Sequence, residues 1–149
     1  MKVQRDITID ASPEEVWEVL MDPSRLKDWV SIHQKLKNAP DGILNEGDKL
    51  TQCLRLMHKK FDVNWKVAQA RKPKKAVWEG RGPLRSKAAV VYELAPNGNG
   101  GTSFHYENEF KAPMGPLGSF FADHAFQRTS EREADRTLDR LKSLLESHR

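Results

Sequence analysis

The run PLGSFFADHAFQRTSEREADRTLDRLKSLLES, residues 116–147, decides how the rest of the chain is arranged. It reads as one helix of roughly thirty residues, long against the ~11–12 of an average helix. Pro113, Gly115, Pro116 and Gly118 stop any preceding strand, and Pro116 suits a first helical position, where a missing N–H leaves no bond unmade. Phe120, His124, Gln127, Glu131, Ala134, Leu138, Leu141 and Leu145 then recur at spacings of four and three, which places them along one side of the helix. That seam is apolar at its C-terminal end and polar in its middle. Phe121, Ala122, Ala125 and Phe126 make the first turns apolar nearly all round, so this end needs cover on more than one side. A lone amphipathic helix cannot bury such a seam. A broad partner has to wrap it.

The middle of the chain supplies that partner as strands. Immediately upstream, Phe104, Tyr106, Asn108 and Phe110 alternate with Ser103, His105, Glu107 and Glu109. Pro96-Asn97-Gly98-Asn99-Gly100-Gly101 is the clearest hairpin loop, and Lys87–Leu94 is the strand before it. Gly80 to Arg85 is read as loop, Ala76–Glu79 as strand, and Arg71–Lys75 as turn. Phe61, Val63, Trp65 and Val67 share one face of a further strand. His58-Lys59-Lys60 joins it to an alternating stretch that puts Leu50, Gln52, Leu54, Leu56 and His58 on one side. Pro40-Asp41-Gly42 and Glu46-Gly47-Asp48 are turns after a weak strand at Ile32–Ala39.

Near the start, residues 2–10 alternate with Val3, Ile7 and Ile9 on one face, and Arg5 falls on that apolar side. Ser12-Pro13-Glu14-Glu15 is a helix start with a capping box, followed by the apolar face Val16, Trp17, Leu20 and Met21. Asp22-Pro23 begins a second short helix with Leu26, Trp29 and Val30 inside.

Short sequential turns imply an antiparallel meander, and only the final helix is long enough to cover its apolar face. The expectation is an α+β domain spanning 1–149: a curved antiparallel sheet of about seven strands wrapped around a long C-terminal helix, with two short helices after the first strand. A curved sheet stands off from its helix at the centre. A void there is costly unless polar groups, water or a ligand fill it.

Composition bounds the function. With 149 residues, 31% charged and 38% hydrophobic, the chain can build a real core, and no apolar run reaches the ~18 residues of a membrane span. The start, MKVQRDITID, has no signal-peptide core, so a cytoplasmic protein is expected. Net charge is +4 with pI near 9.2, short of a nucleic-acid-binding footprint. The single cysteine, Cys53, excludes an intramolecular disulfide. His33, His58, His105, His124 and His148 lack metal-ligand spacing, so no metal site is expected; nor is there a GxSxG, a P-loop or a dinucleotide fingerprint.

The run Ile7-Thr8-Ile9-Asp10-Ala11-Ser12-Pro13-Glu14-Glu15-Val16-Trp17-Glu18-Val19-Leu20, the Asp22-Pro23 to Trp29 segment, Glu46-Gly47-Asp48, Gly101-Thr102 and Gly115-Pro116-Leu117-Gly118 together resemble the START-like, polyketide-cyclase superfamily (SRPBCC), which has the helix-grip fold. The resemblance covers essentially the whole chain. It implies lipid and hormone carriers, polyketide aromatase/cyclases or chaperone co-factors as the range of roles, and it carries over no catalytic residue.

Candidate ligand-binding residues are His124 and Gln127 on the polar seam, with Phe120 and Phe121 beside them, and Trp65, Trp78, Phe104 and Tyr106 as an aromatic wall. Asn108 and Arg5 are inward polar groups by strand parity. The plainer reading of the aromatics is core, and of His124 and Gln127 a solvated or self-paired helix face. Arg128 pairs most simply with Glu131 or Asp135. The basic turns, Lys59-Lys60 and Arg71 to Lys75, are solvated turns that discourage edge pairing, or else a patch for an anionic partner.

Three functions follow. The first is binding of a hydrophobic small molecule (lipid, polyketide or similar) between sheet and helix. The second is an aromatase/cyclase-type enzyme without a cofactor. The third is a protein-interaction module with a filled core. The expected partner is a hydrophobic small-molecule ligand, with no nucleic acid and no stable membrane insertion, in a monomer or homodimer. Gly115–Gly118 is expected to be the mobile entrance to the pocket.

Overall fold

The computed structural model describes residues 1–112 and 124–147. Its elements run β1 (Lys2–Ile9), α1 (Pro13–Leu20), a single 3-10 turn (Pro23–Arg25), α2 (Leu26–Trp29), β2 (His33–Asn38), β3 (Lys49–Leu56), β4 (Lys59–Arg71), β5 (Lys75–Arg81), β6 (Lys87–Pro96), β7 (Thr102–Lys111) and α3 (His124–Glu146). The seven strands form one antiparallel sheet in the order β1-β7-β6-β5-β4-β3-β2, so β2 to β7 are a meander and β1 adds to the far side of β7. This is the α+β helix-grip arrangement: a curved sheet, short helices after the first strand, and a long helix across the apolar face.

Local chemistry explains the boundaries. Ser12 caps α1 by accepting from the Glu15 N–H, and the Glu15 carboxylate accepts from the Ser12 N–H, both at 3.2 Å. Asp22 caps the following turn through the Ser24 N–H at 3.0 Å. Met57 and His58 both have positive φ (51° and 66°), so they form the two-residue turn whose twist matches a hairpin. That turn removes His58 from the inward row of β3 and leaves it exposed. Strand β5 runs through Gly80 to Arg81, longer than its sequence pattern indicated, and only Pro83–Arg85 beyond it form a 3-10 turn.

The C-terminal half of α3 is buried through Ala134, Thr137, Leu138, Leu141 and Leu145. It is anchored to β1 and the following turn by Arg5 to Asp135 (2.7 Å), by Lys142 to the Thr8 carbonyl, and by the Asp10 N–H to Glu146 (2.9 Å). On its other flank the Ser31 N–H donates to the Thr137 hydroxyl at 3.0 Å, and the Ser31 hydroxyl lies 2.7 Å from a Glu133 oxygen. These contacts fix α3 against β1 and against the loop after α2. The core beneath them continues through Ile9, Val16, Trp17, Leu20 and Leu26, all at most 2% exposed. Predicted features on residues 113–123, including the helix start at Pro116 and the Gly115–Gly118 entrance, lie outside the described residues.

Candidate functional site

Strand register sorts the inward side chains into rows. Leu94, Phe104 and Ile7 form the row nearest α1. Ala76, Tyr92, Tyr106 and Arg5 form the next, and Trp78, Val90, Asn108 and Val3 the one after. The last comprises Trp65, Gly80, Ala88 and Phe110. Large rings at the two ends of that last row flank two residues with almost no side chain. The Trp65 ring and Val63 fill the space over Gly80, and Ala88 is the small member of the row that borders a cavity of about 390 Å³ between the sheet, α2 and α3. This falls at the small end of the ~300–1,000 Å³ typical of ligand pockets. Its wall is mostly apolar and aromatic, built from Trp65, Trp78, Val90, Tyr92 and Tyr106 on the sheet, Trp29 on α2, and Phe126 and Ala134 on α3. Its rim carries Met57, Lys59 and Lys60 from the β3–β4 hairpin and Leu84, a leucine 62% exposed.

The register also locates the expected site residues. Trp65, Trp78, Tyr106 and Asn108 line the cavity. Phe104 does not: it lies nearer α1 and is core, 1% exposed. Arg5 has the inward parity, but β1 is an edge strand, and its guanidinium reaches around to Asp135 at 2.7 Å. The helix departs further from expectation. His124 is exposed, and Gln127 donates to Glu131 at 3.0 Å along the helix itself. Neither lines the cavity, whose helical face is Phe126, Ser130, Glu133, Ala134 and Thr137. Upstream of Ala134 the buried stripe continues in steps of four, to Ser130 and Phe126, whereas the spacing read from sequence steps by three to Glu131. Burying the Phe126 ring against Phe110, with centroids 5.8 Å apart, sets that rotation. Phe120 and Phe121 lie outside the described residues.

Five wall rings form a connected chain of contacts. Tyr92 is central, 6.1 Å from Trp29, 6.0 Å from Trp78 and 6.2 Å from Tyr106 by ring centroids, and Trp78 meets Trp65 edge-on at 5.9 Å. Burial holds the Tyr92 phenol well above its ordinary pKa and pushes that of Tyr106 up to about 12. Both therefore keep their protons. The Tyr106 oxygen accepts from the Asn108 amide at 3.2 Å, which leaves its own proton free to be donated.

The polar atoms of the wall divide into paired and unpaired sets. The Trp65 indole N–H donates to the Gln52 oxygen at 3.0 Å, which turns the Gln52 amide nitrogen toward His33 Nδ1 at 2.8 Å. An indole is only a donor, so this chain of bonds requires His33 Nδ1 to be an acceptor and its proton to sit on Nε2. Burial agrees, lowering the His33 pKa. By contrast, the indole nitrogens of Trp29 and Trp78 and the hydroxyl of Ser130 are buried without a hydrogen-bond partner among the described residues. All three belong to cavity-lining residues, and they come from three separate elements. Each buried donor left unpaired costs about 1–3 kcal/mol. Sequence reading placed Trp29 in the core and passed over Ser130 and Tyr92. The period-four continuation from Ala134 was the signal for Ser130, and inward parity the signal for Tyr92.

The family described as polyketide cyclase / dehydrase and lipid transport matches residues 1–146. The chain belongs to this family. Among its relatives, an uncharacterised protein of Mycobacterium tuberculosis is 27% identical over 119 residues, covering 78% of this chain and 82% of its own. A second protein of that organism, which bears the name toxin, is 23% identical over 122 residues, covering 81% and 85%. The polyketide cyclase and lipid-transport fold is equally plain in a solved Thermus thermophilus structure, with TM-score 0.79 at 16% identity over 99% of each chain. At that identity the likeness establishes the fold alone. No described helix is long and apolar enough to cross a membrane.

Proposed function

We propose that this protein binds a hydrophobic small molecule, a lipid, polyketide or similar, in the cavity between the sheet and α3. The observation that carries this reading is a cavity of about 390 Å³ with a largely apolar wall inside an otherwise closely packed core. Native interiors leave few voids larger than a water molecule, so a hollow of this size supports the reading that a ligand fills it. The family description, which joins cyclisation to lipid transport, supports the same reading. Binding is preferred over catalysis because the lining offers hydrogen-bond donors with little to accept a proton. Both tyrosines hold theirs, and Glu133 is engaged by Ser31 and Arg136. The open cavity likewise supports a container over an interaction module with a filled core.

Native mass spectrometry of the purified protein, followed by denaturing extraction, tests the proposal. The expected result is a co-purifying apolar compound, or uptake of a cavity-seeking fluorescent dye by the empty protein. Ala88→Leu, which extends a larger side chain into the cavity, should abolish uptake while the protein stays folded. No bound compound and no dye uptake would refute the container reading.

A further inference from the structure

The chemistry of the occupant is written in the three unpaired atoms. This inference rests on the container reading and specifies what the container holds. Trp29 and Trp78 are 1% and 2% exposed, and their indole N–H groups meet no acceptor among the described residues. The same wall shows that the fold can satisfy an indole when nothing else is to be bound, since Trp65 has Gln52 as its fixed acceptor. The two tryptophan rings that carry the unpaired nitrogens flank the same ring, Tyr92, from α2 and from β5. Ser130 adds a hydroxyl from α3 across the cavity, and Tyr106 adds a phenol whose proton is free. The residues that carry these donors therefore line the cavity from several sides, with their polar atoms set back in its wall.

Charge narrows the class further. The cationic groups of the lining are the Met1 ammonium, which is engaged by the Phe110 carbonyl at 3.0 Å, and Lys59 and Lys60, which are exposed at the rim. Deeper in, the lining carries the Glu133 side chain, held by Ser31 and Arg136. An anionic ligand group among the tryptophans would lose its water without gaining a counter-charge and would face that carboxylate. The geometry points to a neutral ligand with an apolar body and at least two carbonyl-type oxygens, bound by the indole N–H groups of Trp29 and Trp78. A fatty-acid carboxylate, or a plain hydrocarbon, does not meet this description.

The test is equilibrium dialysis of the full-length protein against three compounds of one ring skeleton: anthraquinone, anthracene and anthracene carboxylate. Anthraquinone should bind about ten-fold tighter than anthracene or more, and the carboxylate should bind more weakly than the quinone. Trp29→Phe and Trp78→Phe keep an aromatic wall and delete one N–H each. Each should reduce the quinone-to-hydrocarbon affinity ratio about three- to ten-fold, as loss of one hydrogen bond does. The ratio is the readout, so a general change in packing, which moves both affinities together, cancels, and hydrocarbon binding shows that the variant is folded. Equal affinity for quinone and hydrocarbon, tightest binding of the carboxylate, or an unchanged ratio in both variants would overturn this inference and leave the container standing. Failure of all three compounds to bind wild-type protein that also excludes the dye would overturn both.

Discussion

Gly80→Ala isolates the contact that shapes the cavity. Gly80 has an ordinary strand φ, so its backbone suits alanine, and in an open site the exchange would stabilise the protein by about 0.4–1 kcal/mol by restricting the unfolded chain. Here the new methyl would stand 2.6 Å from Val63 Cγ1 and 2.7 and 2.8 Å from two ring carbons of Trp65. Real methyl contacts do not approach so closely, so a neighbour must move. Trp65 is pinned by its bond to Gln52 and its edge contact with Trp78, and Val63 is 3% exposed within the sheet. Overpacking of this kind costs about 1–3 kcal/mol, and displacing Trp65 adds the ~0.5–1.5 kcal/mol of its hydrogen bond. Set against the gain from the restricted unfolded chain, the net expectation is destabilisation by about 1–3 kcal/mol. At ~2–4 °C per kcal/mol for a chain of this size, the midpoint of thermal unfolding should fall by roughly 3–10 °C. Circular dichroism melts and urea titrations of both proteins measure it. Combining Gly80→Ala with Trp65→Leu should recover part of the loss, because the smaller side chain makes room. Because the sign is reversed relative to an open site, a Gly80→Ala protein as stable as wild type, or more so, refutes the reasoning.

Leu141 is fully buried beneath the anchored half of α3, and Leu141→Ala should lose about 2–5 kcal/mol in denaturant titration; a change below 1 kcal/mol would mean that α3 is not held as described. His105 is bonded to Glu107 at 3.0 Å and Asp6 at 2.7 Å, which raise its pKa above 6.5, with Glu93 opposite it on β6. Its contribution to stability is thus present below its unfolded pKa and lost as pH rises through its folded one, so His105→Gln should destabilise the protein near pH 6 and converge with wild type by pH ~9. A deficit independent of pH would exclude this. His33 has the opposite sign: its folded pKa is lowered, so its contribution weakens as pH falls below about 6.5, where the unfolded chain takes up a proton first. Nitrogen NMR should show His33 protonated at Nε2 and bare at Nδ1, and a proton on Nδ1 near neutral pH would contradict the Gln52 bridge.

Much of the fold was legible because its signals are local. The Ser12–Glu15 capping box, the Asp22 cap and the Asn97–Gly101 hairpin each depend on residues within a few positions of one another, and strand alternation gave the inward rows correctly for Trp65, Trp78, Tyr106 and Asn108. The site was less legible because its decisive facts are long-range. His124, Gln127 and Glu131 continue the Leu138–Leu141–Leu145 spacing, yet the rotation of α3 is settled by where Phe126 finds a ring to pack on, and that ring comes from β7. Arg5 has the right parity, but an edge strand beside an acidic helix position gives it a better partner than the interior. That Trp65 has a hydrogen-bond acceptor while Trp29 and Trp78 lack one depends on how α2 and α3 settle over the sheet, and no spacing in the sequence encodes it.

The sheet order has a consequence for synthesis. Strand β1 precedes the other described strands in the chain, but its neighbour in the sheet is β7, the last of the described strands to be made, so Val3, Ile7 and Ile9 wait for that pairing after they appear. At ~5–20 residues per second, the roughly ninety residues between β1 and β7 leave that apolar ribbon waiting about 5–20 s on the ribosome. Meanwhile β2 to β7 can zip sequentially, each onto the strand before it, through contacts close in sequence. A nascent chain stalled before Thr102 would carry most of a sheet and a stranded first segment. Its hazard during translation is therefore concentrated in the opening residues, which stay exposed to chaperones, proteases and other nascent chains until the seventh strand emerges.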